Sequence, residues 1–230
     1  MKPVPEIPLN ASPQDILRIG VESAHGPVKL ACSFSLEDVV IIDMVKELGL
    51  EVGIFALDTG RLNEETYEVA DAITQRYRIP IDWYFPRHEK VEKMERDKGL
   101  FSFRESLENR HECCHIRKVE PLGRALKGLQ GWVTGLRREH NVTRVDLKAI
   151  ELDELNGGIL KINPLLDWHE EQLLAYVNER RLPKNRLLSE GYRSIGCAPC
   201  TRAVQPGEDA RAGRWWWENP EHKECGLHRR

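Results

Sequence analysis

At 230 residues the chain is too long for a small stapled module and too short for two large domains; with 40% hydrophobic and 31% charged residues it reads as an ordinary globular protein, one compact domain plus an appendage. No apolar run reaches the roughly 18 residues of a membrane span, and Met1-Lys2-Pro3-Val4-Pro5 lacks the apolar core of a secretion signal, so a cytoplasmic protein with no membrane partner is expected. The balance of 34 basic and 37 acidic residues gives a net charge of −3, which removes the broad positive field of a nucleic-acid binder and allows only a local anion site.

Residues 1–27 form a partly proline-rich extension. Val28–Phe34 reads as a strand, and Leu36–Leu48 as a helix with Val40, Ile41, Met44, Val45 and Leu48 at helical spacing. Ser35, with Asp38 three residues on, resembles a capping box, and Gly49 closes the helix. Val52–Leu57 is a second strand, Asn63-Glu64-Glu65 opens a helix reaching Tyr77, and Ile81–Phe85 is a third strand. A helix over Cys114–Leu126 carries Pro121, which predicts a kink, and Trp132–Gly135 is another strand. Asp167-Trp168-His169-Glu170 predicts a capped helix running to Arg180.

This alternation predicts an α/β domain over residues 28–200, a mostly parallel sheet with helices on both faces. Ligands in such folds sit beyond the carboxyl ends of strands, which points to the loops after Phe34, Leu57 and Gly135. Residues 201–230, punctuated by Pro206-Gly207, Ala212-Gly213 and Asn219-Pro220, read as an irregular C-terminal tail.

The six cysteines are two close pairs and two singles. Cys113-Cys114 and Cys197-Ala198-Pro199-Cys200 can complete a four-sulfur site. Adjacent cysteines diverge and suit a single zinc poorly, whereas an iron–sulfur cluster offers each thiolate its own iron; structural zinc and a redox disulfide stay open on residue types alone. Cys32, inside an apolar strand, is a small core residue. Arg117, Lys118, Arg137, Arg138, Arg144, Arg211 and Arg214 stand where an anion could be held, although a solvated face explains any one of them. Trp215-Trp216-Trp217 carries enough aromatic area that the tail must dock, by default on the core. Near the end, Cys225 lies between Lys223 and His228, which lower a thiol pKa, and beside Gly226, which frees the backbone.

The paired cysteines, Leu57-Asp58-Thr59-Gly60-Arg61-Leu62 and Glu224-Cys225-Gly226-Leu227-His228 together resemble the adenosine 5′-phosphosulfate (APS) and 3′-phospho-APS (PAPS) reductase family, over residues 28–228. Cys113-Cys114 resembles its iron–sulfur, assimilatory APS reductase branch. The resemblance implies an adenine-nucleotide α-hydrolase-like fold, one [4Fe–4S] cluster per chain on Cys113, Cys114, Cys197 and Cys200, and Cys225 as nucleophile. It implies a nucleotide pocket lined by Ser33, Ser35, Leu57, Thr59 and Gly135, with Lys118, Arg144, Arg211 and Arg214 on the phosphosulfate. The implied reaction is reduction of APS to sulfite and AMP through an S-sulfocysteine, in sulfate assimilation and cysteine biosynthesis. With the other cysteines committed to the cluster or the core, no resolving thiol is left near Cys225, so an external dithiol such as thioredoxin is expected; a homo-oligomer is expected as well. The rivals are a PAPS or dual-substrate reductase, an ATP-dependent adenylating enzyme, whose Ser-Gly-Gly-x-Asp-Ser loop Ser33–Asp38 does not match, and a non-enzymatic iron–sulfur or zinc regulator, which needs no Cys225.

Overall fold

Val28, Leu30 and Cys32 turn alternately inward along β1 (Val28–Cys32), the strand at the centre of the sheet. The computed structural model describes residues 3–140 and 147–219. β1 is flanked in parallel by β2 (Val52–Leu57), with Val28 opposite Val52 and Cys32 opposite Ala56, and by β4 (Gly131–Val133), with Val28 opposite Gly131. Outside β2 lies β3 (Asp82–Tyr84); outside β4 lies β6 (Ile159–Ile162), parallel to it, and then β5 (Ile150–Asp153), antiparallel at the edge. The order β3-β2-β1-β4-β6-β5 reverses direction between β1 and β4, and a crevice opens at such a switch point.

The segments after β1 and β4 meet at this point. β1 ends two residues earlier than its apolar run because Phe34 takes a left-handed backbone, φ 63°, which a bulky side chain adopts only at a cost. Asp38 offsets that cost: its Oδ2 accepts from Ser33 N (2.6 Å), Ser33 Oγ (2.8 Å) and Ser35 N (3.4 Å). In return Asp38 N donates to Ser35 Oγ (3.4 Å), which completes the capping box of α2 (Leu36–Glu47). α2 is buried from Glu37 to Val45, almost without a polar face, as a helix enclosed by its neighbours must be. After β4, Gly135 lies so close to α2 that a Cβ would come within 2.7 Å of Asp38 Oδ1 and 2.8 Å of Glu37 Cβ.

The other helices are α1 (Pro13–Ala24), α3 (Glu64–Tyr77), α4 (His88–Lys98), α5 (Leu107–Cys114), α6 (Glu120–Leu126) and α7 (Glu170–Glu179). The helix expected from Cys114 begins earlier, at Leu107, where Ser106 Oγ accepts from Asn109 N (3.1 Å). Between α5 and α6 the backbone widens into one π-helical turn, His115–Val119, just before Pro121. Pro121 lacks an N–H and its ring would press on the carbonyl four residues back, a conflict that the wider turn relieves. α7 starts later than Asp167: Gln172 Oε1 accepts from His169 N (2.9 Å), while Asp167 pairs with Arg138 (2.6 Å).

The chain forms two units that interleave along the sequence. One contains most of the sheet and comprises residues 3–56, Val69–Asp82 and Leu126–Lys184; the other comprises Leu57–Glu68, Trp83–Ala125 and residues 185–219. Among the described residues, no helix is long and apolar enough to cross a membrane.

Burial pushes the Asp38 carboxyl up to about 6, against the pull of its Ser33 hydrogen bonds. The folded chain therefore keeps a proton that the unfolded chain releases near 3.8. The resulting stabilisation is complete below pH 4 and is lost as pH rises through 6. Asp38→Asn removes this dependence. In urea unfolding, the stability of the natural chain relative to Asp38→Asn is expected to fall by about 2 kcal/mol between pH 4 and pH 7.

Candidate active site

In the second unit, α5 ends on Cys113 and Cys114, and one turn further Arg117 and Lys118 stand at i+4 from them on the π-helical turn. Cys197 and Cys200 bracket a short 3₁₀ turn, closed by Cys200 N donating to Cys197 O (2.9 Å) and tied to the loop after β2 by Ala198 N donating to Arg61 O (2.8 Å). These segments bring all four thiols to the wall of one cavity, lined also by Arg61, Phe103, Arg110, Arg117, Lys118, Arg214 and Trp215. No carboxylate is among these lining residues.

Proximity shows in the acidities. Burial raises Cys197, but Lys118, a hydrogen bond with Thr59 Oγ1 (3.3 Å), Arg214 and Arg117 together outweigh it and hold the thiol below its ordinary value. Cys200 is pushed up to about 12, first by burial and then by negative charge on Cys197, Cys114 and Cys113. Burial also raises Cys113, against the opposing pull of Arg117 and Arg61. Four thiols that disfavour one another's ionisation need a positive centre if all are to be thiolates.

The cationic wall is tightly braced. Glu95 Oε1 accepts from both Arg61 Nη2 (2.8 Å) and Arg117 Nη2 (2.6 Å), and Arg117 Nη1 donates to Thr59 O (2.7 Å). Arg110 is 1% exposed, makes two 2.9 Å bonds to Glu218 and lies over the Trp215 ring at 4.8 Å. Arg214 also lies over Trp215, at 4.6 Å, packed so closely on Gly196 that a Cβ there would collide with its guanidinium. Yet Arg61 Nη1, Arg117 Nε and Arg214 Nε are buried without a hydrogen-bond partner, and all three belong to arginines that line the thiol cavity.

Four sulfur donors and three orphaned guanidinium nitrogens suit an anionic, sulfur-rich group, because N–H groups can donate to its sulfur atoms. Among the described residues, no three His, Cys, Asp or Glu side chains converge on a single metal ion. The thiols border a cavity rather than a point, an arrangement suited to a polynuclear centre.

The tail residues within the described chain complete this unit. Thr201 bridges Arg214, Trp215 N donates to Cys200 O (3.1 Å), and Trp215 is 1% exposed with φ 41°. Trp217 packs on Phe103 (ring centroids 5.9 Å apart), beside Met94, Cys113 and Cys200. The tryptophan run thus docks on the core, apart from Trp216, which is 38% exposed.

Ser33, Ser35 and Gly135 come together around Asp38 in the first unit. Leu57, half-buried, and Thr59, fully buried, belong to the second, where both oxygens of Thr59 are engaged by Arg117, Arg61 N and Cys197. Lys118 and Arg214 line the thiol cavity; Arg211 lies on the preceding turn, its carbonyl accepting from Arg214 N (2.9 Å). Arg137 is buried on Glu37 (2.9 Å) and Glu139 (2.6 Å), so its charge is committed to holding α2. Arg144 and Cys225 lie outside the described residues. Sequence reasoning assigned no role to Arg61, Glu95, Phe103 or Arg110; Arg61 stood within the Leu57–Leu62 motif, and Arg110 lay three residues before Cys113 on one helix, whereas Glu95 and Phe103 gave no signal.

Comparison with known proteins agrees with this architecture. Residues 27–203 match the phosphoadenosine phosphosulfate reductase domain, and the chain belongs to that family of oxidoreductases acting on sulfur. It is 47% identical to an adenosine 5′-phosphosulfate reductase of Burkholderia cepacia over 97% of this chain and 89% of that one. It is 49% identical to the enzyme of that name from Allochromatium vinosum over 88% and 79% of the two chains. Among solved structures, the phosphoadenylyl-sulfate (PAPS) reductase of Candida auris, in a phosphate complex, superimposes with a TM-score of 0.70 at 31% identity, over 85% of this chain and 92% of that one.

The buried Arg110–Glu218 pair fastens the segment after Cys200 to α5. Removing one partner leaves an uncompensated buried charge, so Glu218→Ala is expected to cost about 3 kcal/mol. The double change Arg110→Met with Glu218→Met should cost less than either single change. A double-mutant cycle by urea unfolding measures both.

Proposed function

We propose that the chain reduces APS to sulfite and AMP with electrons from thioredoxin or a similar dithiol protein, as part of sulfate assimilation and cysteine biosynthesis in the cytoplasm, and that it acts as a homo-oligomer. The observation that carries this reading is the meeting of Cys113, Cys114, Cys197 and Cys200 with Lys118 and Arg214 on one cavity, in a chain close to half identical to proteins named for that reaction.

In the proposed cycle the Cys225 thiolate attacks the sulfur of APS. A sulfur–sulfur bond forms, the bond from sulfur to the bridging oxygen breaks, and AMP departs with the electron pair. The dithiol then attacks Cys225 Sγ of the S-sulfocysteine; sulfite leaves, and the second thiol frees Cys225 while the dithiol becomes a disulfide. An anionic nucleophile approaching an anionic substrate is opposed electrostatically, so Lys118, Arg144, Arg211 and Arg214 are assigned to the phosphosulfate. Ser33, Ser35, Leu57, Thr59 and Gly135 are assigned to the nucleotide. Cys113, Cys114, Cys197 and Cys200 are assigned to one [4Fe–4S] cluster, which when bound supplies a fixed local field beside Lys118. The adjacency of Cys113 and Cys114 and the orphaned arginine nitrogens support a cluster over a single zinc ion. PAPS is a second candidate substrate, supported by the likeness to the Candida auris PAPS reductase; side-by-side rates with the two nucleotides separate them.

Cys225→Ser is expected to bind APS and retain iron yet gain no sulfonate mass, while the natural chain gains one; a sulfonated Cys225→Ser protein removes the assignment. Lys118→Ala is expected to slow sulfur attack about a hundredfold in single turnover with little change in AMP affinity. Equal losses in both would make Lys118 a general anion contact.

A further inference from the structure

α4 looks at first like a solvated helix: of its eleven residues His88–Lys98, only Met94 is buried. The two residues Met94 and Glu95 nevertheless tie it to the thiol cavity. Met94 packs with Phe103 and Cys113 in one apolar cluster. Glu95, its side chain 25% exposed, gives a single carboxylate oxygen to two guanidinium groups, those of Arg61 and Arg117, which arrive from different segments of the unit.

Each guanidinium is braced by several partners. Arg61 Nη2 is shared between Glu95 and Leu100 O (2.8 Å), and its plane lies over Phe103 at 5.1 Å. Arg117 is pinned through Nη1 and Nη2 to Thr59 O and Glu95. On Arg61 one buried nitrogen, Nη1, remains without a partner; on Arg117 it is Nε, which makes no well-formed hydrogen bond although the Arg117 side chain already leans on the Cys113 thiol as a donor. Both residues line the thiol cavity, and both act electrostatically on Cys113. A buried N–H without an acceptor is destabilising, so two of them on residues of a sulfur-lined wall imply an acceptor supplied by what the wall encloses.

We propose that Glu95 is a positioning residue that orients Arg61 and Arg117 so that Arg61 Nη1–H and Arg117 Nε–H donate to the sulfur atoms around the Cys113 corner of the iron–sulfur cluster. This inference rests on the cluster reading above. It gives the carboxylate two effects: it fixes the geometry of both donors, and it partly offsets their charge, so that the cavity keeps a moderate positive field. It also explains why the Leu57–Leu62 motif after β2 carries Arg61, and why a helix so rich in charge is fastened beside the cysteines. Such outer partners of metal ligands typically change metal affinity 10- to 100-fold when removed.

The test uses anaerobically purified full-length protein as Arg61→Gln, Arg61→Lys and Glu95→Gln beside the natural chain, with iron content, transfer of iron to a ferrous chelator, resonance Raman of the iron–sulfur modes, and AMP affinity as readouts. Arg61→Gln and Glu95→Gln are expected to lose iron about tenfold faster and to shift the iron–sulfur modes through loss of N–H···S bonds, with AMP affinity changed less than twofold. Arg61→Lys keeps the charge without the fork and should fall between, which retains a readout if Arg61→Gln folds poorly. Iron release and Raman modes unmoved in Arg61→Gln and Glu95→Gln, with iron present in the natural chain, would overturn the inference and leave the cluster reading intact. So would a loss confined to AMP affinity, which would assign the two guanidiniums to substrate. A natural chain without iron or sulfide would overturn the cluster reading itself, and this inference with it.

Discussion

Charge compensation inside one thiol-lined cavity governs the second unit. Four cysteine sulfurs brought together by folding raise one another's cost of ionisation, as the upward displacement of Cys200 records, and the wall answers with Arg61, Arg117, Lys118 and Arg214. Those cations are themselves costly to bury, and so they are braced by Glu95, by Thr59 O and by aromatic faces. Trp215, which stacks with both Arg110 and Arg214, shows how far this reaches: the segment after Cys200 is docked by the same charges.

The first unit concentrates its strain elsewhere, at the switch between β1 and β4. Phe34 is forced into a left-handed conformation, Asp38 gathers the neighbouring N–H and O–H donors, and Gly135 admits α2 at a distance that no side chain would tolerate. Arg137 spends its charge on Glu37 and Glu139 to hold the start of α2. Strain, a raised carboxyl pKa and a steric demand for glycine thus coincide at the strand ends where an open α/β sheet places its ligand.

Much of this was legible from local pattern. The β1–α2 unit with its Ser35–Asp38 box, β2, α3 and the parallel sheet followed from period and caps, because each is enforced by neighbours a few residues away. Four elements escaped, the first being α1, whose Ser12 cap and buried Ile16, Leu17 and Ala24 follow a proline-rich start. α4 buries only Met94, so it has no apolar stripe to read. The β5–β6 hairpin hides a lysine: Lys161 sits 8% exposed in a fully buried strand because Glu151 at 3.7 Å and the face of Trp132 at 5.4 Å receive its charge. The π-helical turn before Pro121 is a backbone adjustment with no composition of its own.

At the site, the four cysteines, Lys118 and Arg214 could be named from residue type and motif, since thiolate chemistry admits few substitutes. Sequence by itself thus determined the donor atoms, the alternation of strands and helices, and the family. Tertiary structure alone decided that these thiols share one cavity, that Arg137 is a structural cation while Arg61 is a lining one, and that Glu95 holds Arg61 and Arg117 together. The reason is physical: a charge is committed or left available by which partner reaches it across the fold, as with Arg61 and Glu95, 34 residues apart in the chain.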